Sequence, residues 1–275
     1  FENAVTQDGL ISVMRHGFKH RGINFRVCYF KPESELNELA NEHYRQNVCQ
    51  CIRQWHYTEA NRNSIDMMLA VNGIPVVAIE LKNQLTGQSV DDAMRQWEYN
   101  RNPKEYAFGF NKRVLAYFAC DLYNVYMTTQ LNGAETVFLP FNQGSNGAGK
   151  DGGAGNPTTE DGKYVTSYFW ENVLQKDKLL DILQKFISYE RSEKKKIMPD
   201  GSTKTTVSSK VIFPRYHQLD VVRKLVSHVR ENGAGHNYLI QHSAGSGKSN
   251  SIAWTAYRMA SLHDENNNPI FIVQA

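Results

Sequence analysis

The sequence predicts a mixed α/β domain that is followed by the beginning of a second α/β unit. Three observations predict this arrangement. Strand-like apolar runs alternate with segments of helical spacing up to about residue 139, a polar stretch at residues 191–210 interrupts the pattern, and a glycine-rich loop flanked by a strand-like run and a helical stretch follows it. We therefore expect one domain at residues 1–190, a linker at residues 191–210 and part of a second domain at residues 211–275.

The first domain is predicted to have the order helix, strands, helix, strands. Helices are expected at residues 33–45 and 89–101, where apolar residues recur at three- and four-residue intervals. Residues rich in Val, Ile, Leu and aromatic side chains predict strands at 64–71, 75–82, 114–120, 125–128 and 136–139. Residues 48–57 fit either a helix or a strand.

The remaining segments are simpler to assign. Residues 144–155 are glycine-rich and predict a loop, and residues 168–189 return to helical spacing. The lysines at residues 194–196 favour a solvated run of charge within the linker. Beyond the linker, a short strand is expected at residues 238–241 and a helix at residues 250–260.

Composition narrows the function only slightly. The formal net charge of +3 is too small to argue for nucleic acid, so any DNA contact must come from local patches or metal. The four cysteines lack zinc or disulfide spacing, which predicts a reduced, cytoplasmic protein. No apolar run approaches the length of a membrane span. Because the chain begins with Phe1, we expect it to be part of a longer protein.

Two acids and a lysine lie on two neighbouring strand-like runs. Glu80 and Lys82 are two residues apart, so both side chains point to one face of their strand. Mg²⁺ prefers carboxylates, a bound Mg²⁺ activates water for phosphodiester hydrolysis, and a nearby lysine offsets negative charge. Asp66, Glu80 and Lys82 therefore predict a metal-dependent nuclease site. The alternative interpretation is a solvated strand face.

The position of Asp66 depends on the register of the two strands. A regular two-residue hairpin at Asn72-Gly73 would pair Asp66 with Ile79 and put it on the wrong face from Glu80. A three-residue loop, or an equivalent odd-numbered bulge, pairs Asp66 with Glu80 instead. We expect one of these two irregularities.

A second motif, HSAGSGKS at residues 242–249, has the composition of a phosphate-binding loop in the required strand–loop–helix order. Its glycines let backbone N–H groups approach phosphates, its lysine reaches the β- and γ-phosphates, and its last serine can bind Mg²⁺. His242 stands where the full pattern has glycine. The predicted nucleotide-binding residues are Gly245, Ser246, Gly247, Lys248 and Ser249.

Two glutamines have open roles. Gln218, at the start of a helix about thirty residues before the loop, can recognise the adenine edge through its amide, or it can be a plain helix-start residue. Gln96 can reach a phosphate or the attacking water from the helix at residues 89–101, or it can be a surface residue.

Five segments together carry a resemblance to a known family. They are SIDMMLAVNGIPVVAIELKN at residues 64–83, FLPFNQG at 138–144, GAGNP at 153–157, IFPRYHQLDVVRKL at 212–225 and YLIQHSAGSGKS at 238–249. In this order they make nearly the whole chain resemble the restriction (R, or HsdR) subunit of type I restriction–modification enzymes.

The resemblance implies a RecB-like PD-(D/E)xK nuclease domain with a mixed central sheet, then the start of a RecA-like superfamily 2 motor domain. It implies that Asp66 and Glu80 bind metal, that Lys82 is the catalytic lysine, and that Gln218 recognises adenine. Members of this family use ATP to translocate double-stranded DNA, and they cleave it within a complex with methylation (M) and specificity (S) subunits. The implied cofactors are Mg²⁺ and ATP.

Some features depart from the family. The family often has Gln followed four residues later by Tyr, whereas here Tyr99 follows Gln96 after three. Asp264-Glu265 does not fit the family's acidic ATPase box, so we expect this segment not to hydrolyse ATP by itself. The alternative function is a DNA-stimulated ATPase motor subunit whose N-terminal domain only binds DNA or partner subunits.

Overall fold

The computed structural model describes residues 1–33, 36–145, 150, 153–159, 162–197, 203–263 and 269–270. The chain divides into two compact units, Phe1–Phe213 and Pro214–Ala275. Among the described residues, no helix is both long and apolar enough to cross a membrane. Asp264-Glu265 and the centre of the glycine-rich loop lie outside the described residues.

The first unit is built on a mixed six-stranded sheet in the order β3-β4-β5-β6-β7-β8. Its strands are β3 (Cys49–His56), β4 (Ser64–Val71), β5 (Ile74–Leu81), β6 (Ala116–Cys120), β7 (Val125–Thr128) and β8 (Leu139–Pro140). Strands β5 and β6 are parallel, and the other neighbours are antiparallel. This confirms the mixed α/β class and resolves residues 48–57 as mostly strand.

The helices of the first unit are α1 (Glu2–Asp8), α2 (Leu10–His16), α3 (Glu38–Arg45), α4 (Val90–Tyr99) and α5 (Lys176–Lys185). Short 3₁₀ helices lie at Gln84–Thr86 and Tyr106–Phe108, and a π-helical turn at Phe169–Val173 precedes α5. The predicted continuous helix at residues 168–189 is therefore interrupted. Helices α1 and α2 had no counterpart in the sequence prediction.

Two further pairs of strands form separate two-stranded sheets. The first pair is β1 (Phe18–His20) with β2 (Ile23–Phe25), and the second is β9 (Ser188–Ile197) with β10 (Thr203–Ile212). The predicted linker at residues 191–210 thus lies largely in β9 and β10. The hydrogen bonds between these two strands join backbone groups, so a polar sequence can form them as well as an apolar one.

Helix α4 connects the parallel strands β5 and β6 and packs on the sheet between them. Its Trp97 is fully buried and donates its indole N–H to the carbonyl oxygen of Phe118 on β6, at 3.0 Å. Ala78 of β5 and Tyr117 of β6 belong to the same buried cluster. This packing fixes the helix against the strand that carries Glu80 and Lys82.

The β4–β5 connection combines a tight turn with a bulge. Asn72 and Gly73 have φ values of 51° and 79°, and they form a two-residue turn that pairs Val71 with Ile74. The pairing then shifts, because Leu69 is opposite Val77 while Ala70 is opposite Pro75. Val76 of β5 therefore has no partner on β4 and forms the bulge. The predicted three-residue loop is wrong, and the odd-numbered bulge is confirmed.

The second unit contains α6 (Tyr216–Asn232) and α7 (Lys248–Met259). The strand predicted at residues 238–241 is wrong, since these residues have no regular secondary structure and Leu239 is 96% exposed. A strand needs a neighbour to satisfy its backbone N–H and C=O groups, and the described part of this unit contains no strand that pairs with it.

Candidate functional site

The bulge in β5 brings the two predicted acids together. The last ladder pair, Met67 with Ile79, places position 66 beside position 80. The Asp66 carboxylate then accepts a hydrogen bond from the backbone N–H of Leu81 at 2.8 Å, and another from the Gln54 side chain at 3.1 Å. Asp66 is thus held at the end of the sheet next to Glu80, as the predicted site requires.

Glu80 is completely buried and forms an ion pair that the sequence did not reveal. Its Oε1 atom accepts from the Nε and Nη2 atoms of Arg101, at 3.0 and 2.6 Å. Arg101 also donates to the carbonyl oxygen of Ser64 at 2.7 Å and lies over the Tyr57 ring. These contacts fix the guanidinium at the start of β4, so that it holds the Glu80 carboxylate from one side.

The second oxygen of Glu80 has no partner within the described structure. Its Oε2 atom is buried and makes no hydrogen bond. Burial raises the pKa of Glu80 to about 7, because desolvation outweighs the opposing charge of Arg101, and the nearby Asp66 raises it further. A buried carboxylate oxygen without a donor is a costly arrangement that a bound cation would relieve.

Lys82 directly follows the last residue of β5, and its side chain points toward α4. Its ammonium group donates to Oε1 of Gln96 at 2.6 Å. Its backbone N–H is bonded to the carbonyl oxygen of Cys120, which continues the pairing of β5 with β6. Gln96 therefore contacts the predicted site and is not a detached surface residue, whereas Tyr99 of the same helix is exposed.

The donor set fits a Mg²⁺ ion that is bound partly by water or phosphate. Asp66 and Glu80 supply carboxylate oxygens, and the unpartnered Oε2 atom is available without breaking a bond. The described residues contain no group of three or more His, Cys, Asp or Glu side chains placed to bind a metal. Mg²⁺ is commonly bound through one or two carboxylates and retains several waters, so two acids are sufficient.

The other acids near this site have structural roles. Asp92 accepts from the backbone N–H of Ser89 at 2.8 Å in a capping box at the start of α4. Asp121 follows β6 and accepts from the backbone N–H of Val90 at 2.8 Å. Their carboxylates are therefore occupied by the helix start and the turn after β6.

The predicted phosphate loop in the second unit has part of the expected geometry. Gly245 and Gly247 have φ values of 70° and 81°, the left-handed region that favours glycine, and Gly247 precedes the first residue of α7. Ser249 lies in the first turn of that helix. However, Lys248 donates to the carbonyl oxygens of His242 and Ser243, at 3.2 and 3.0 Å, and so bends back over the loop.

Gln218 contacts this loop through its own amide. Its Nε2 atom donates to the carbonyl oxygens of Ser246 and Gly247, at 3.3 and 2.9 Å. Its Oε1 atom accepts from the backbone N–H of Arg215 at 2.9 Å. Both ends of the amide are thus engaged by protein, so Gln218 holds the loop rather than presenting a free edge to adenine.

Asp66 and Glu80 thus lie side by side on neighbouring strands of the mixed sheet, and Lys82 follows Glu80 by two residues. Residues 25–143 match the family described as type I restriction enzyme R protein N terminus (HSDR_N). This region is therefore similar to the N-terminal part of the R subunit, which is its endonuclease region. No curated protein matches the chain.

The matched region contains the whole acid–lysine site but not the phosphate loop. Glu80 and Lys82 were predicted from sequence because their two-residue spacing puts them on one strand face, whereas Asp66 required a register shift as well. Arg101 was missed because it lies just before Asn102-Pro103 and was assigned only as the end of a helix. The signal that could have found it is a buried carboxylate that requires a cation.

Proposed function

We propose that residues 1–213 form a Mg²⁺-dependent endonuclease for double-stranded DNA within the R subunit of a type I restriction enzyme. The observation that carries the proposal is the adjacency of Asp66 and Glu80 on β4 and β5, with one buried Glu80 oxygen left without a donor and Lys82 two residues beyond Glu80. Carboxylates that hold a metal ion and a nearby lysine together supply the charge stabilisation that phosphodiester hydrolysis requires.

In this proposal each side chain has one task. Asp66 and Glu80 would hold Mg²⁺, which when bound lowers the pKa of water and stabilises charge on the phosphate. Lys82 stabilises the negative charge that develops on the phosphate oxygens as water attacks phosphorus. Gln96 keeps the ammonium group of Lys82 in place through its side-chain oxygen. Arg101 fixes the Glu80 carboxylate so that Oε2 faces the cation.

The phosphate loop supports a second part of the proposal. We infer that the loop residues Gly245–Ser249 bind ATP and Mg²⁺ in the complete R subunit, since two left-handed glycines precede α7 and the helix N-terminus favours phosphate. Within that assembly the R subunit would act with methylation and specificity subunits on DNA. Gln218 would position the loop through its bonds to the carbonyl oxygens of Ser246 and Gly247.

A competing function has one specific observation in its favour. The ion pair between Glu80 and Arg101 neutralises a predicted metal ligand and resembles a purely structural pair. On that interpretation the chain is part of a DNA-stimulated ATPase motor subunit, and its N-terminal region only binds DNA or partner subunits. Lys82 and Asp66 would then have no role in chemistry.

Nicking of supercoiled plasmid by the whole chain in MgCl₂ separates the two functions. We expect Asp66→Asn, Glu80→Gln and Lys82→Ala each to reduce the nicking rate by about a hundredfold or more, as loss of a charge-stabilising group does in other enzymes. Asp91→Asn is the matched control, because Asp91 is an exposed acid on the same covering helix. A wild-type chain that does not nick the plasmid would favour the motor-subunit alternative, and nicking that survives all three substitutions would exclude Asp66, Glu80 and Lys82 as the catalytic groups.

A further inference from the structure

The segment at residues 9–32 carries positive charge without any acid. It contains Arg15, Lys19, Arg21, Arg26 and Lys31 together with two histidines, and no Asp or Glu. The whole chain has 31 basic and 28 acidic residues, a net charge of only +3. A local concentration of this kind, on a nearly neutral chain, indicates a surface for an anionic partner.

Four of the five basic residues of this segment fall into two groups. Arg15 donates to the carbonyl oxygens of Leu183 and Ile187, at 2.9 and 2.6 Å, and Arg26 donates to the carbonyl oxygen of Arg15 at 2.9 Å. These two arginines anchor the chain. Lys19 and Arg21, by contrast, are exposed and form no ion pair or side-chain hydrogen bond with any described residue.

Lys19 and Arg21 lie on a small hairpin, which we call the basic hairpin (β1, the Arg21-Gly22 turn and β2). Lys19 pairs with Asn24 across the ladder, and Arg21 and Gly22 have φ values of 48° and 82°. Positive φ at both turn residues matches the twist of a two-residue hairpin. The tip is therefore a defined turn that presents cations to solvent.

Aromatic packing and a glycine hold the basic hairpin at its base. The rings of Phe18 and Phe25 stack at 5.2 Å between centroids, and Phe1 meets Phe18 edge-on at 6.1 Å. A Cβ atom at Gly17 would overlap the carbonyl oxygen of Phe25, so the backbones approach closely there. A held hairpin loses less conformational freedom on binding than a loose loop does.

We propose that the basic hairpin contacts the phosphate backbone of double-stranded DNA through Lys19 and Arg21. This inference rests on the proposed function, because it assigns a second contact to the DNA that the nuclease site would cut. Exposed cations without acidic partners are the groups that bind phosphates, and a two-stranded β-ribbon has the width of the DNA major groove.

The position of the basic hairpin suits a contact away from the cleavage site. The carbonyl oxygen of Val27, just after β2, accepts from the side chain of Asn72 at 2.9 Å, at the turn between β4 and β5. Glu80 lies six residues along β5 from Ile74, which is about 20 Å at the rise of a strand. That length corresponds to about six base pairs of duplex.

Salt-dependent binding of the whole chain to a 30-base-pair duplex tests this contact. The variant is Lys19→Gln/Arg21→Asn, in which asparagine tolerates the positive φ of position 21. The matched control is Arg45→Ala/Lys178→Ala, which removes two exposed cations from helices α3 and α5. Binding is measured in EDTA, so that cleavage does not contribute, and Lys19→Arg tests whether charge alone is required.

We expect the hairpin variant to weaken binding by about tenfold or more at 0.1 M salt and to reduce the slope of log K against log salt by about 1.8, or about 0.9 for each lost phosphate contact. Lys19→Arg should bind as the wild type does. Binding equal to that of the helix control overturns the inference. So does unchanged DNA binding with lost assembly on the methylation and specificity subunits, which would assign the hairpin to a protein partner.

The result can be separated from the fate of the nuclease proposal. A hairpin effect on binding, in a wild-type chain that does not nick DNA in Mg²⁺, supports the phosphate contact and removes the cleavage function. If the wild type nicks DNA and the hairpin variant binds DNA as the wild type does, the cleavage function is supported and the phosphate contact is excluded.

Discussion

The acid–lysine site and the phosphate loop are both short motifs, but the structure supports them differently. Glu80 lies on the central strand β5 and Lys82 directly after it, and each contacts a side chain from α4 or from the segment just after α4. The phosphate loop follows a segment with no regular structure, and Lys248 bonds to its own loop. The comparison teaches that motif residues form a site when the elements that carry them have tertiary partners.

Amide hydrogen exchange should show the largest difference between the two regions. Residues 77–79 of β5 are paired with β4 on one side and β6 on the other, so we expect exchange of their amides to be slowed by about a thousandfold or more, as global unfolding controls it. Amides at residues 238–241 form no ladder in the described structure and should exchange nearly freely. Strong protection at 238–241 would break the comparison, because it would require a strand there.

The next largest difference is in the free energy of unfolding, when a buried cation of the first region and an exposed cation of the second are substituted separately. Arg101→Leu leaves the buried Glu80 carboxylate without its charge partner, so we expect the free energy of unfolding in urea to fall by about 3–5 kcal/mol. Lys248→Ala removes an exposed side chain, and we expect a change within about 0.5 kcal/mol.

The double variant Arg101→Leu/Glu80→Leu is the control for the ion pair. Because it removes both charges, it should recover much of the stability that Arg101→Leu loses. An Arg101→Leu variant as stable as the wild type would mean that the guanidinium does not hold Glu80 as described.

Two glycines of the phosphate loop give a smaller, matched effect. A Cβ atom at Gly247 would lie 2.5 Å from the Nε2 atom of Gln218, whereas a Cβ atom at Gly245 would meet nothing within 4 Å. Both have positive φ, so each Ala substitution carries about 1 kcal/mol of backbone strain, and Gly247→Ala adds displacement of Gln218. We expect fluorescent ATP-analogue binding to weaken more for Gly247→Ala, and an equal response would remove Gln218 as a positioning residue.

The smallest effect concerns the turn that precedes the bulge. Gly73 has a φ of 79° and open space around it, so Gly73→Ala should cost about 1 kcal/mol of unfolding free energy through backbone strain alone. Asn at the same position should cost less, because it tolerates left-handed φ. A loss well above this value would show that the turn also positions the site at the other end of β4 and β5.

The sequence was sufficient to predict the strand faces but not every contact on them. Alternation alone puts Glu80 and Lys82 on one face, and the need for an odd-numbered shift followed from Asp66. A loop and a bulge give the same register, so only the structure could choose the bulge at residue 76. The Arg101 contact depends on where α4 ends in space, which no local pattern specifies.

Tertiary context also explains the wrong strand assignment at residues 238–241 and the presence of strands at residues 191–210. Residues 238–241 have strand-like composition, but a strand exists only with a neighbour. The stretch at residues 191–210 was predicted to be a linker because it is polar and contains Lys194–Lys196, Pro199 and Gly201. Its β-branched residues near Thr203–Ile212 were the available signal that it would pair as β10.

Divalent-cation binding tests the central claim most directly. The whole chain is titrated with Mn²⁺ in a calorimeter, without nucleotide or DNA. We expect one site whose Mn²⁺ affinity falls by about tenfold or more in Asp66→Asn and Glu80→Gln. Asp91→Asn and Ser249→Ala should leave that affinity unchanged. Mn²⁺ affinity that is the same in all five proteins would contradict the account, because the two carboxylates would then not be the ligands.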